Sequence, residues 1–139
     1  MTVMGASPKS VATVRSFLAF DYGTRRVGVA SGNAITRTAT SLRTVAAEGD
    51  ARFAALGALI AEWQPDALVV GVPFHPDGAS HDNTARAQRF ARQLEGRFKL
   101  PVHQVDERYT TTEALAAGAR DVDAASAAII LEQFLRALS

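Results

Sequence analysis

Apolar residues recur along the first part of the chain with the spacing of strands. Residues 16–20 form a short apolar run that ends at Asp21, and residues 26–30 alternate after a turn at residues 22–24. This pattern predicts a strand, a tight turn and a second strand, hence a hairpin. The threonine-rich segment 35–45 predicts a third strand.

The rest of the chain alternates between helical spacing and short apolar strands. Strands are predicted over residues 67–72 and 100–105. A helix is predicted from about residue 50 to just before Pro65, with an apolar stripe formed by Phe53, Leu56, Leu59, Ile60 and Trp63. Further helices are predicted along the apolar stripe 87–98 and over 110–119 and 123–138. A meander followed by alternating strands and helices predicts an α/β protein. Its mixed sheet would have three antiparallel strands and then parallel strands added through helical crossovers.

Length and composition narrow the class of protein. The 139 residues fit one domain, which we expect over residues 17–139 after a flexible leader of residues 1–16. The chain has no cysteine, which excludes disulfides and thiolate metal sites. With no signal-like apolar segment and no run long enough to span a membrane, we expect a cytoplasmic protein. The net charge of +1 means that a nucleic acid would have to bind at local basic patches.

Carboxylates stand at the ends of the predicted elements. Asp21 ends the first strand, Asp106 and Glu107 end the last strand, and Asp123 begins the last helix. Strand ends meet at one edge of an open α/β sheet, where ligands usually bind. Carboxylates gathered there would repel one another, and a hard divalent cation could stabilise them. Two such ions about 4 Å apart can promote phosphodiester hydrolysis.

Each carboxylate also has a purely structural interpretation. Asp21 could be a turn former, and Asp106 and Glu107 could be a solvated strand end. Asp123 could cap the helix, but its spacing places it on the buried stripe, where a carboxylate needs a partner, so Asp121 is the better cap candidate. Because adjacent strand residues point to opposite faces, only one of Asp106 and Glu107 can face the site. We prefer Glu107, which reaches further, and keep Asp106 in reserve.

Basic residues near these carboxylates are candidates for binding phosphates. The candidate nucleic-acid-binding residues are Arg25, Arg26, Arg86, Arg89 and Arg108. Arg108 follows Glu107 directly, and Arg25 and Arg26 follow Asp21 after a three-residue turn. The two arginines of the second helix could equally form a solvated face. His75, in the loop after residues 67–72, could be a general base, a phosphate contact or neither.

Four motifs together resemble those of the YqgF (RuvX) family, bacterial RNase H-like nucleases described as Holliday junction resolvase-like and as pre-16S rRNA nucleases. They are residues 20–30 (FDYGTRRVGVA), 69–73 (VVGVP) followed by Asp77-Gly78, 105–111 (VDERYTT) and 123–131 (DAASAAIIL). The resemblance implies an RNase H-like fold, with a mixed five-stranded sheet and helices on both faces. It also implies a bound Mg²⁺ or Mn²⁺, with Asp21, Glu107 and Asp123 as catalytic metal ligands, and a role in maturing the 5′ end of 16S rRNA.

Two departures from the family pattern bear on substrate contacts. The segment between Glu113 and Asp123 is short, and Arg120 is its only basic residue. Many relatives carry a longer stretch there that is rich in Lys and Arg. Residues 74–76 read Phe-His-Pro where relatives often have Leu-Asn and another residue, so His75 inherits no role.

The leading hypothesis is a metal-dependent endonuclease acting on structured RNA, such as pre-16S rRNA in a pre-ribosomal particle. The alternative is a Holliday junction resolvase acting on branched DNA, which would make two paired cuts as a dimer; the sequence leaves monomer and homodimer open. A non-catalytic ribosome-assembly factor is a third hypothesis. A fourth is an actin-like nucleotide-binding fragment, suggested by Asp-X-Gly-Thr, although actin-like proteins are much larger.

Overall fold

The computed structural model describes residues 15–74, 79, 82–107 and 121–138. The strands are β1 (Ser16–Tyr22), β2 (Val27–Asn33), β3 (Ala39–Val45), β4 (Ala67–Pro73) and β5 (Val102–Glu107). The helices are α1 (Gly49–Trp63), α2 (Thr84–Phe98) and α3 (Val122–Ala137). Several predictions lie outside the described residues: His75, Arg108, the helix over 110–119, the segment around Arg120 and nearly all of the leader.

The strands form one mixed sheet in the order β3-β2-β1-β4-β5 within the described part of the chain. β1, β2 and β3 pair antiparallel, whereas β4 pairs parallel with both β1 and β5. The predicted meander with two parallel additions is therefore confirmed. β4 lies inside the sheet, between β1 and β5, and is buried on both faces, which explains why its sequence is a continuous apolar run.

Two apolar cores form on opposite faces of the sheet. On one face, Leu18 and Phe20 of β1 pack with residues of α1 and α2, among them Leu56, Phe90 and Leu94. On the other face, Phe17 and Ala19 pack with residues of α3, namely Ile130, Leu131 and Leu135. Helices thus cover both faces, as expected. Because side chains alternate along β1, Asp21 lies on the α3 face and Tyr22 on the α1–α2 face.

The first turn of α3 lies directly against β2. A Cβ atom on Gly28 would overlap the backbone carbonyl oxygen of Asp123, so this close approach requires glycine at that position. Gly28 is the partner of Asp21 in the β1–β2 register. The missing side chain therefore sets the start of α3 beside the end of β1.

The buried face of α1 differs from the predicted one. Arg52 is buried with Leu56 and Leu59, whereas Trp63, which was predicted on the apolar stripe, is 45% exposed. Trp63 belongs to the last turn of α1 and lies beside Ser16 and Pro65, at the end of the sheet where β1 begins. No helix in the described ranges is long and apolar enough to cross a membrane.

Candidate active site

Asp21 and Glu107 come together where β1 and β5 end, on either side of β4. Asp21 is level with Gly71 of β4, and Glu107 is level with Pro73. Strand alternation turns Glu107 to the α3 face, the face of Asp21, and turns Asp106 away from it. The carboxyl groups of Asp21 and Glu107 share a hydrogen bond. The structure thus places the preferred carboxylate, and not the reserve, beside Asp21.

Gly71 makes room for this pair. A Cβ atom at that position would overlap the Cδ1 atom of Ile130 and lie 3.1 Å from a carboxylate oxygen of Glu107. The glycine lets α3 and the Glu107 side chain close over β4, which leaves Glu107 only 8% exposed. The site is therefore built on three neighbouring strands and covered by a helix.

The pKa values of both carboxyl groups are raised, and burial is the largest cause for each. The pKa of Asp21 lies well above its usual range, chiefly because of burial, then because of the charge of Glu107, their hydrogen bond and the charge of Asp123. Burial also raises the pKa of Glu107, while the hydrogen bond from Asp21 opposes that rise. We therefore assign the proton to Asp21, which donates it to Glu107. This proton lies in the hydrogen bond between two groups that would otherwise both carry negative charge.

Asp123 lies next to this pair but is engaged elsewhere. Asp121 begins α3 as its N-cap, as predicted, and accepts a hydrogen bond of 3.0 Å from the backbone amide of Ala124. Asp123, in the first turn, forms an ion pair of 3.0 Å with Nε of Arg26, and its side chain is 30% exposed. The expectation that Asp123 points into a buried position is therefore only partly right, because an arginine from the β1–β2 turn holds it near the surface.

The donor atoms fit a divalent cation in chemistry, although not as a finished cage. Mg²⁺ and Mn²⁺ prefer carboxylate oxygens, and a cation would relieve the repulsion that now needs a proton between Asp21 and Glu107. Among the described residues, however, no three acidic or histidine side chains lie close enough together to hold a metal ion. The third ligand would have to be recruited, and Asp123 is near enough to act on Asp21 through its charge.

The candidate arginines divide between two places. Arg25 and Arg26 are exposed and line a cavity of about 460 Å³ together with Thr24 and Asp123, next to the carboxylates. Arg86 and Arg89 lie on α2 and line a different cavity, between α1 and α2. Within the described residues, these four arginines therefore do not form one continuous basic surface.

Three residues that shape the region were missed from the sequence. Gly28 and Gly71 lie inside strands, and a glycine inside a strand signals a close approach of another backbone or a ligand. Arg52 is buried on α1, and its position four residues before Leu56 places it on the inner face of the helix. These signals were present in the sequence, but each has several possible causes, and only the packing shows which applies.

The raised pKa values predict how the metal-free protein responds to pH. A carboxyl group whose pKa is higher in the folded state than in the unfolded chain, where it is about 4, is protonated more in the folded protein. The free energy of unfolding should therefore fall as the pH rises from about 4 through the raised values of Asp21 and Glu107.

Urea denaturation in EDTA at a series of pH values measures this effect. Glu107→Gln should flatten the decline, because the remaining carboxyl group loses its charged neighbour. If the wild-type and Glu107→Gln curves ran parallel, the carboxyl pair would not be the cause of the decline.

Comparison with known proteins identifies close relatives along nearly the whole chain. The model of the RuvX family, described as Holliday junction resolvase, matches residues 15–137. A protein of Polaromonas sp., named "Putative pre-16S rRNA nuclease", is 66% identical over 135 residues, which are 97% of this chain and 98% of that protein. A protein of the same name from Albidiferax ferrireducens is 65% identical over 135 residues, covering 96% of this chain and 86% of that one.

A solved structure agrees with the fold. RuvC of T. thermophilus, determined with a Holliday junction substrate, superimposes with a TM-score of 0.53 at 17% sequence identity, covering 88% of this chain and 94% of RuvC. At that identity the likeness concerns the fold alone. Together with the strand order and the helices on both faces, it identifies the fold as RNase H-like.

Proposed function

Because the chain belongs to the RuvX family, we propose that it is a divalent-metal-dependent endonuclease that hydrolyses phosphodiester bonds in structured RNA. The observation that carries this proposal is the carboxyl pair of Asp21 and Glu107. Two acids held together at the edge of a sheet destabilise the protein at neutral pH unless a proton or a cation neutralises them. Their oxygens are of the kind that Mg²⁺ and Mn²⁺ bind.

Asp21 is the central ligand in this proposal, because the charges of both Glu107 and Asp123 act on its carboxyl group. Glu107 is the second ligand, and Asp123 is the third once it leaves Arg26. One or two bound divalent cations would supply a nucleophilic water at neutral pH and stabilise the charge on the departing oxygen. Arg26, released from Asp123, and Arg25 beside it would donate hydrogen bonds to the phosphate of the substrate.

We favour RNA as the substrate because the relatives that match over most of their length are named for pre-16S rRNA. The biological reaction would then be maturation of the 5′ end of 16S rRNA, in the cytoplasm, with a pre-ribosomal particle as partner. The second candidate is resolution of branched DNA, which the description of the family model favours. Resolution requires two paired cuts and hence two copies of the site.

A comparative cleavage assay separates these functions. A fragment of pre-16S rRNA and a four-way DNA junction are each incubated with the protein in Mg²⁺, Mn²⁺ or EDTA. We expect cleavage of the RNA that requires the metal and is slower or absent on the junction. Paired cuts in the junction, made by a protein that sediments as a dimer, would instead establish the resolvase. Binding of RNA without cleavage in the presence of either metal would refute the proposed enzymatic activity.

Metal binding should be visible in stability, without any substrate. A ligand that binds only the folded state at 100 times its Kd raises the free energy of unfolding by about 2.7 kcal/mol. We expect Mg²⁺ or Mn²⁺ to raise the melting temperature of the wild type, and Glu107→Gln to remove most of that increase. The melting temperature is followed by calorimetry, with and without EDTA.

Asp106→Asn is the matched control, because it changes the neighbouring carboxylate, which lies on the other face of β5. It should respond to the metal as the wild type does. If Asp106→Asn lost the response and Glu107→Gln kept it, the second ligand would be Asp106.

A further inference from the structure

A second cavity, of about 300 Å³, lies between α1 and α2 on the face of the sheet away from the carboxylates. This α1–α2 cavity is lined by Tyr22, Gly49, Arg52, Phe53, Arg86, Arg89, Phe90 and Gln93. Its described lining therefore contains three arginines and no carboxylate, on a chain whose net charge is only +1. A local patch of this kind is what a protein with so little bulk charge needs in order to hold a polyanion.

Arg52 is the fixed part of this cavity. Its side chain is buried, with the residue 5% exposed, and it donates hydrogen bonds to the carbonyl oxygens of Ala47 at 2.8 Å and Thr24 at 3.1 Å. The guanidinium also lies over the ring of Tyr22, 5.6 Å from its centroid. Within the described chain no carboxylate pairs with it. A buried charge without a counter-ion is costly, so an anion in the cavity would be stabilised there.

Arg86, Arg89 and Gln93 form the polar side of the cavity. Their spacing of three and four residues places them along one stripe of α2, which faces α1. Arg86 donates to the side chain of Asn83 at 3.2 Å, and Arg89 has no hydrogen-bond or ion-pair partner among the described residues. Both arginines are exposed and so can rearrange around a ligand.

An aromatic floor completes the cavity. The ring of Phe90 lies 5.1 Å from that of Tyr22 and 6.0 Å from that of Phe53, centroid to centroid. Arginines beside aromatic rings are the combination that binds the phosphates and the bases of single-stranded nucleic acid, and here Arg52 lies over Tyr22. The cavity volume lies at the lower end of the range for small-ligand pockets.

The α1–α2 cavity and the carboxylate site lie at the same end of β1, on opposite faces of the sheet. Tyr22 follows Asp21 in β1, so the two side chains leave opposite faces of the same strand end. A strand of nucleic acid that crosses this edge of the sheet would contact both places. We propose that the α1–α2 cavity binds a phosphate of a single-stranded segment of the substrate, next to the bond that is cleaved. This inference rests on the proposed nuclease function.

Binding of a labelled single-stranded RNA of about 12 nucleotides tests the inference. Fluorescence anisotropy is measured in EDTA, so that no cleavage occurs. Arg89→Gln should weaken binding roughly tenfold, the scale of one lost charged hydrogen bond. It should also lower the slope of log affinity against log salt by about 0.7, the value for one phosphate contact on a single strand.

Arg92→Gln is the matched control, since Arg92 is also exposed on α2 and carries the same charge but does not line the cavity. Equal binding by Arg89→Gln and Arg92→Gln would overturn the proposal. So would binding of AMP or inorganic phosphate as tight as that of the RNA, because the cavity would then be a site for a small anion. Arg52→Lys, which keeps the charge but loses the planar fork, should also weaken RNA binding.

Cleavage kinetics separate this inference from the function on which it rests. With a cleavable RNA and Mg²⁺, Arg89→Gln should raise KM and leave kcat nearly unchanged, because it removes binding away from the reacting phosphate. If kcat fell and KM did not change, the proposed role would be wrong even though the protein is a nuclease. If the wild type bound RNA through Arg89 but cut nothing, RNA binding by the cavity would be supported and the proposed nuclease function would be refuted.

Discussion

Replacing Asp21 by Asn is expected to slow metal-dependent cleavage by roughly 100-fold or more, and at the same time to make the protein more stable. The rate should fall because the amide keeps the shape of the side chain but loses the charge of the central ligand. A loss of two to three orders of magnitude is typical when one group that stabilises transition-state charge is removed. The stability at neutral pH should rise because the amide donates to Glu107 at every pH, whereas Asp21 must hold a proton to do so.

Single-turnover cleavage and urea denaturation in EDTA measure the two effects. Asp82→Asn is a suitable control, because Asp82 is an exposed carboxylate outside the site and its substitution should change neither quantity. Full activity in Asp21→Asn would refute the proposed centre. A loss of activity that came with a loss of stability would indicate a structural role for Asp21 instead.

Gly28→Ala is expected to reduce both stability and activity. The added methyl group would overlap the carbonyl oxygen of Asp123 and lie 2.7 Å from the backbone nitrogen of Ala124. These are backbone atoms of a capped helix start, so they cannot move aside without displacing α3. Overpacking of this kind typically costs about 1–3 kcal/mol. Activity should fall as well, because Asp123 would move away from Asp21.

Gly96→Ala provides the comparison, since Gly96 lies in α2 and a Cβ atom there would meet nothing within 4 Å. Alanine is the better helix former, so this variant should be more stable by roughly 0.5–1 kcal/mol. Denaturation curves and cleavage rates of the two variants are measured side by side. If Gly28→Ala resembled Gly96→Ala in both, the close contact between β2 and α3 would have no bearing on the site.

Much of the fold could be predicted from local sequence patterns. The apolar run of β4 indicated a strand buried on both faces, and its parallel pairing on both sides agrees with this. Asp121 was recognised as the helix cap because Asp123 falls on the inner stripe of α3. Strand alternation separated Glu107 from Asp106. In each case the signal comes from residues a few positions apart, so the sequence alone contains it.

The partners of individual charges were not predictable in the same way. The spacing of Asp123 indicated that it needs a partner, but Arg26 reaches it from a turn far away in the sequence. Arg52 is stabilised by two carbonyl groups from separate loops, at Thr24 and Ala47. Such contacts depend on how distant segments pack. Composition and periodicity therefore predict neither the ion pair of Arg26 with Asp123 nor the hydrogen bonds of Arg52.

The parallel position of β5 beside β4 also affects how the chain acquires its site. The meander of β1–β3 joins neighbouring segments and can form early, whereas parallel pairing of β4 and β5 requires a helical crossover. Distant pairings of this kind form slowly, because the chain must close a long loop before any contact stabilises it. Asp21 is synthesised early and Glu107 late, so a nascent chain holds its first acid without the second until β5 has emerged. The site is consequently one of the last features to assemble during synthesis.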